Sequence, residues 1–155
     1  MKSQLTHSPG HALVQKAGAL FATPWTHRLA LLALCAAYLQ GGINKAMDFP
    51  GAIAEMQHFG LAPAAPLALA TIAVELGASA LVLSGLWRWA GALMLAGFTL
   101  LATLAANRFW ELAQPERFMA ANAFFEHLGL IGALVLVAWH DLQPAESKQG
   151  ISRAA

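Results

Sequence analysis

The chain has little charge and a single cysteine. Only 11% of its 155 residues are Asp, Glu, Lys or Arg, whereas about 25% is usual in soluble domains. Nine basic residues against eight acidic ones leave a formal charge of +1, too small a basic excess for binding to nucleic-acid phosphates. Cys35 alone cannot form an internal disulfide or a dithiol centre. These shortages argue against a soluble globule, a nucleic-acid partner and a built-in dithiol redox site.

Apolar sequence is what the chain has in abundance, since hydrophobic residues make up 58% of it. Four stretches come close to the roughly 20 residues that a helix needs to cross a bilayer. They cover residues 25–46, 66–87, 89–107 and 118–139. All five tryptophans lie at the ends of these stretches, where indole rings favour the headgroup region. A soluble four-helix bundle would instead carry a polar stripe on each helix, so the sequence predicts an all-α integral membrane four-helix bundle.

The basic residues predict the orientation of this bundle, because Lys and Arg are enriched in cytoplasmic loops. Six of them lie on one face of the predicted bundle and three on the other. The six are Lys2, Lys16, Arg28, Arg88, Lys148 and Arg153, and the three are Lys45, Arg108 and Arg117. Both termini are therefore predicted to be cytoplasmic. The expected organisation is a tail over residues 1–24, a transmembrane domain over 25–140 and a second tail over 141–155.

Ionisable side chains at membrane depth are the first candidates for function. A charged group within the hydrocarbon costs about 2.5–3.5 kcal/mol on insertion scales and is usually paired or functional. Glu75 lies near the centre of the second span, and Glu126 and His127 lie at a similar depth in the fourth. A carboxyl and an imidazole can exchange protons near neutral pH, so Glu75 and His127 are predicted to form a catalytic relay. The alternative is that Glu75 is neutral and only holds two helices together.

A second group of polar residues lies near the outer ends of the spans. Lys45 follows the first span, and Asn107 and Arg108 follow the third. These residues are predicted to form a polar mouth that binds a headgroup or an anionic ligand, with snorkelling anchors as the alternative. Cys35 is expected to be a small apolar filler. The remaining histidines have no metal-ligand spacing, so no metal site is predicted.

Two local patterns predict how the bundle is built. Residues 48–61 have apolar side chains at helical spacing, which predicts a helix along the outer membrane surface. Small residues inside the spans let membrane helices approach closely. The pairs Ala73 with Gly77 and Gly129 with Ala133 are therefore predicted helix-packing positions.

Four motifs in order resemble the DoxX family of small four-helix membrane proteins. They are GINK at residues 42–45, ELGASALVLSGLWRWAG at 75–91, ATLAANRFW at 102–110 and FFEHLGLIGALVL at 124–136. The resemblance covers about residues 29–139. It implies a multi-pass protein of the bacterial or archaeal inner membrane. Some members of that family are subunits of thiosulfate:quinone oxidoreductase or of membrane-bound redox complexes.

The resemblance to the DoxX family extends to individual residues. Those that match the family pattern are Lys45, Glu75, Gly85, Arg88, Phe109 and Trp110. Two positions depart from it, because Asn107 stands where relatives often have a histidine, and Glu126 and His127 stand where they often have Lys-Asn. An asparagine cannot titrate, so His127 is a candidate substitute for the missing imidazole. The predicted cofactor-binding residues are Lys45, Asn107, Arg108, Trp110 and Glu126.

The resemblance implies a membrane component of a redox system that couples a partner oxidoreductase to the quinone pool. Quinone is the cofactor that the resemblance implies, and the sequence has no haem, flavin or iron–sulfur motif to carry electrons itself. The expected partners are the lipid bilayer, a redox protein and a second copy of the chain. A non-catalytic scaffold and a module that conducts a small solute or protons are the alternatives. The second and fourth spans are almost wholly apolar inward of Glu75 and His127, which favours a site open only to the outer face.

Overall fold

The computed structural model describes residues 9–144, and in this range it is helical without a strand. The helices are α1 (Pro9–Phe21), α2 (Pro24–Met47), α3 (Phe49–His58), α4 (Ala64–Ser84), α5 (Arg88–Ala106) and α6 (Glu116–Leu142). A short 3-10 turn covers Phe109–Glu111 between α5 and α6. Much of the predicted N-terminal tail is thus helix α1. Residues 1–8 and 145–155 of the two tails, with Lys2, Lys148 and Arg153 of the charge count, lie outside the described residues.

Four of these helices, α2, α4, α5 and α6, are long and apolar enough to cross a membrane. The prediction of an all-α bundle with four spans is therefore confirmed. The second span ends earlier than the predicted residue 87, because α4 ends at Ser84 and residues 85–87 form the turn to α5. Which side of the membrane holds the termini stays a prediction from the charge count.

Side-chain caps set the beginnings of α2 and α3. The Thr23 hydroxyl accepts a hydrogen bond from the Thr26 backbone N–H at 3.1 Å, and Pro24 occupies the first turn, where a missing N–H costs nothing. Asp48 ends α2 through its own N–H, and its carboxylate accepts from the Gly51 N–H at 3.0 Å. One residue therefore ends α2 and begins α3, so that α3 folds directly across the end of the bundle.

The helices pack in a defined order. Helix α4 contacts α2, α3 and α5, and α5 also contacts α6. The main core fills the half of the bundle away from α3 and includes Leu31, Cys35, Ala78, Val82, Leu95 and Leu134. A smaller core joins α3 to the start of α4 through Ala52, Met56 and Ala68. Cys35 is completely buried, in agreement with its predicted role as an apolar filler.

The close helix approaches occur at glycines other than those predicted. A Cβ on Gly42 would lie 2.7 Å from the Leu76 side chain, and a Cβ on Gly91 would lie 2.6 Å from the Ala78 carbonyl oxygen. Gly77 and Gly129 are exposed and would meet nothing within 4 Å. The predicted packing pairs were therefore wrong within this chain, because these small residues face outward from the bundle.

Gly85 makes the turn between α4 and α5 possible. It ends α4 with a φ of +82°, a conformation that costs residues with a Cβ. The Arg88 guanidinium folds over it, donates from Nε to the Val82 carbonyl at 3.0 Å and lies 3.7 Å from Asp141 of α6. A Cβ on Gly85 would lie 2.9 Å from Arg88 Nη2. The glycine thus serves both the turn and the arginine that ties α4 to α6.

Replacing Gly85 with alanine should lower the free energy of unfolding by about 1 kcal/mol or more. The left-handed φ strains the new residue, and its methyl group displaces Arg88. Unfolding of the purified protein in mixed detergent, followed by circular dichroism, measures the change. Gly77→Ala in the same helix is the matched control and should cause no loss of stability, since Gly77 is exposed with open space around it and alanine favours a helix interior. Equal losses in the two variants would contradict this account.

Candidate functional site

A cavity of about 600 Å³ lies in the half of the bundle next to α3. Helices α2 to α6 and the loop after α3 enclose it, and its size is within the range of small-molecule sites. Its apolar wall includes Met56, Phe59, Leu61, Leu67, Phe98, Leu101, Ala102 and Leu130. Its polar lining residues are Tyr38, Lys45, Glu55, Thr71, Glu75, Thr99 and His127. The cavity is therefore an apolar space with a few polar groups directed into it.

Glu75 of α4 is the most deeply buried carboxylate of this site, with 5% of its surface exposed. Its Oε1 lies 3.5 Å from the Lys45 ammonium. Its Oε2 is buried and has no hydrogen-bond partner. The carboxylate lies against Gly41, where a Cβ would come within 3.4 Å of Oε1. One oxygen of Glu75 is thus paired with Lys45 and the other is buried without a hydrogen-bond partner.

Lys45 lies near the end of α2 and joins two carboxylates. Its ammonium is 3.5 Å from Glu75 and 3.7 Å from Glu55 of α3. Lys45 and Glu55 also line a second, polar cleft between α2 and α3, together with Asn44 and Asp48. The lysine is therefore placed between the apolar cavity and a polar surface cleft.

His127 of α6 is held in place by Thr103 of α5 and by Asn107, the residue that ends this helix. The Thr103 hydroxyl lies 2.7 Å from His127 Nδ1, and the Asn107 amide nitrogen lies 3.2 Å from the same atom. Because an amide nitrogen only donates, Nδ1 accepts and the ring carries its proton on Nε2. Asn107, predicted to bind a cofactor, instead orients the histidine that does line the cavity.

The structure brings Glu75 and His127 to one cavity but gives them different partners. Glu75 pairs with Lys45, and His127 bonds to Thr103 and Asn107. No hydrogen bond or ion pair joins the two side chains. The sequence hypothesis of a shared hydrogen bond is therefore wrong in this conformation, because equal depth in the membrane does not bring two side chains into contact.

Three other predicted site residues lie outside the cavity wall. Arg108 is exposed and pairs with Glu111 at 3.3 Å. Trp110 packs edge-on against Phe109 and Phe124, which fixes the 3-10 turn to α6. Glu126 is exposed on α6. Of the five predicted cofactor-binding residues, only Lys45 therefore lines the cavity itself.

Sequence reasoning missed Tyr38 and Thr99, which form the polar part of the cavity floor. Tyr38 of α2 and Thr99 of α5 share a buried hydrogen bond, and Thr99 also donates to the Leu95 carbonyl at 2.7 Å. Tyr38 is the single tyrosine of the chain, and it lies inside an apolar span. Thr99 and Thr103 lie four residues apart on one face of α5, and Asn107 follows at the same spacing at the end of the helix. These two features were the available sequence signals.

The profile of the DoxX family matches residues 28–108, just over half of the chain. The chain belongs to the DoxX family. This membership suggests a membrane protein, often associated with redox-related systems. In this DoxX protein the matched segment begins in the second turn of α2, runs through α5 and ends before α6. Glu75 and Lys45 lie within it, and His127 lies beyond it. No curated protein and no solved structure was found to match the chain significantly.

Breaking the Lys45–Glu75 pair should destabilise the bundle. Lys45→Met leaves a buried carboxylate without its cation, a change that typically costs about 3–5 kcal/mol. The measurement is the free energy of unfolding in mixed detergent, compared with Lys45→Met made in a Glu75→Gln background. The loss should be much smaller in that background, because no charge is left unpaired. Equal losses in both backgrounds would show that Lys45 stabilises the fold without Glu75.

Proposed function

We propose that this protein binds a quinone in the cavity and couples a partner oxidoreductase to the quinone pool of a bacterial or archaeal inner membrane. The observation that carries the proposal is Glu75, which lines an apolar cavity and has a buried carboxylate oxygen, Oε2, without a hydrogen-bond partner. Buried acceptors are normally satisfied, so this oxygen fits a ligand that brings a polar group into an apolar space. A quinone ring with its oxygen substituents has this chemistry.

The mouth of the cavity supports a ligand that arrives from the lipid. Leu101 lines the cavity with 71% of its surface exposed, and Leu61 does so with 38% exposed. Leu101 belongs to α5, which is long and apolar enough to cross the membrane, so its exposed side chain faces acyl chains. Leu61 lies in the loop after α3. A lipophilic molecule can therefore enter sideways without crossing water, as a quinone tail requires.

The polar side chains have separate tasks in this proposal. A quinone supplies two-electron, two-proton chemistry when it is bound. Glu75 and His127 belong to α4 and α6 and would contact its oxygen substituents from opposite walls, with the Lys45-paired carboxylate of Glu75 as a hydrogen-bond acceptor. Asn107 and Thr103 keep the imidazole in one orientation. Lys45 and Glu55 connect Glu75 to the polar cleft, where protons can exchange with water at the α3 end of the bundle.

The packing below the cavity argues against conduction of a solute across the membrane. Beneath Tyr38 and Thr99 the bundle is filled by fully buried residues, including Cys35, Leu95 and Leu134. A conducting path would need polar groups or space through this half. A cavity that is closed at one end favours binding over permeation.

Binding of a benzoquinone with a decyl tail, followed by quenching of tryptophan fluorescence in detergent, tests the proposal. Saturable quenching is expected. Ala102→Phe should weaken the binding affinity tenfold or more, because Ala102 lines the cavity and the phenylalanine ring would fill that cavity. Leu104→Phe, on an exposed position of the same helix, is the control and should bind like the parent. Quenching that never saturates, or that is insensitive to Ala102→Phe, would remove the proposed site.

A further inference from the structure

The direction of the hydrogen bonds at the cavity floor is settled by counting protons. Thr99 has one hydroxyl proton and donates it to the Leu95 carbonyl at 2.7 Å. Tyr38 must therefore donate its own proton to Thr99 Oγ1 in the bond between them. The phenol oxygen keeps lone pairs but has no proton left to offer. Because Tyr38 lines the cavity, it presents an acceptor to a ligand.

Glu75 presents a second acceptor on the same wall. Lys45 lies at Oε1, and Oε2 is buried without a partner. The carboxylate rests against Gly41, which follows Tyr38 by three residues on α2, about 4.5 Å along a helix axis. The wall formed by α2 and α4 therefore holds two oxygen atoms that accept hydrogen bonds and donate none, the phenol oxygen of Tyr38 and Oε2 of the carboxylate paired with Lys45.

The opposite wall has the reverse character. His127 accepts at Nδ1 from Asn107, which leaves its Nε2–H as a donor. A carbonyl oxygen and a hydroxyl oxygen both accept from such a donor, so His127 does not distinguish a quinone from a quinol. Only the wall of Glu75 and Tyr38 can make that distinction.

We infer that the cavity selects the reduced, hydroxyl-bearing form of its ligand, a quinol, over the oxidised, carbonyl-bearing form. This inference rests on the proposed function. A quinol hydroxyl would donate to Glu75 Oε2 and satisfy the unpartnered acceptor, with Tyr38 Oη as a second acceptor on the same wall. A quinone carbonyl would face the same two oxygen atoms without a proton between them, which leaves Glu75 Oε2 and the carbonyl oxygen without a donor. Glu75 and Tyr38 are thus specificity-determining residues for the redox state of the ligand.

The test compares the affinities of a decyl-tailed benzoquinol and the matching benzoquinone by anaerobic titration calorimetry of the full chain in detergent. The quinol should bind at least tenfold more tightly. Glu75→Gln places an amide that can donate, so the ratio of quinol affinity to quinone affinity should fall to about one or below it. Tyr38→Phe should reduce it by a smaller factor, and it tests the same wall without touching the ion pair. Glu116→Gln makes the same chemical change at an exposed position and should preserve the preference.

The outcomes separate this inference from the function on which it rests. Equal affinities, or tighter binding of the quinone, would overturn the selection while leaving a quinone site in place. Binding of neither form would overturn both. The dimethyl ether of the quinol retains both oxygen atoms without their protons and should bind at least tenfold more weakly than the quinol. Equal binding of the ether would show that the cavity recognises shape and not hydroxyl donation.

Discussion

A carboxylate inside an apolar bundle must be neutralised, and the arrangement of α2 and α4 follows from this constraint. Lys45 can reach Glu75 only if the two helices lie close together. Gly42 permits that approach, since a Cβ there would overlap the Leu76 side chain, and Gly41 leaves room for the carboxylate itself. The two consecutive glycines and the ion pair are therefore one structural unit. Without the glycines the charged pair could not be buried, and without the pair the carboxylate would be an uncompensated cost.

Helix α3 completes this unit from the aqueous side. Asp48 ends α2 and caps α3, which turns the chain across the bundle and brings Glu55 within 3.7 Å of Lys45. Met56 on the same helix is buried against the start of α4 and also lines the cavity. One short helix therefore contributes an ionic contact on one side and an apolar wall on the other. This is why the ion pair separates a polar cleft from an apolar cavity.

Sequence reasoning could predict the spans and the depth of Glu75, because length, hydropathy and position along a helix are one-dimensional properties. It could not choose the partner of Glu75, since contact also depends on how each helix is rotated and on the reach of the side chain. Lys45 lies near the end of its span, yet a long lysine stem extends along apolar surface towards a buried group. His127 has the matching depth but belongs to α6, and α4 packs against α2, α3 and α5. The rotation of each helix also determines which glycines lie at a helix contact, and Gly77 and Gly129 face outward.

The roles of hydroxyl groups in membrane helices could not be predicted from the sequence for a different reason. A threonine can donate its hydroxyl proton to a backbone carbonyl of its own helix, as Thr99 does to the Leu95 carbonyl. A threonine in an apolar span is therefore satisfied without a ligand. The consequence appears only when a second helix is added. Once Thr99 has donated to its own backbone, Tyr38 from α2 has to donate to Thr99, and the phenol becomes an acceptor. A bond inside α5 thus determines the polarity of a cavity wall built by α2, which no feature of either helix alone could indicate.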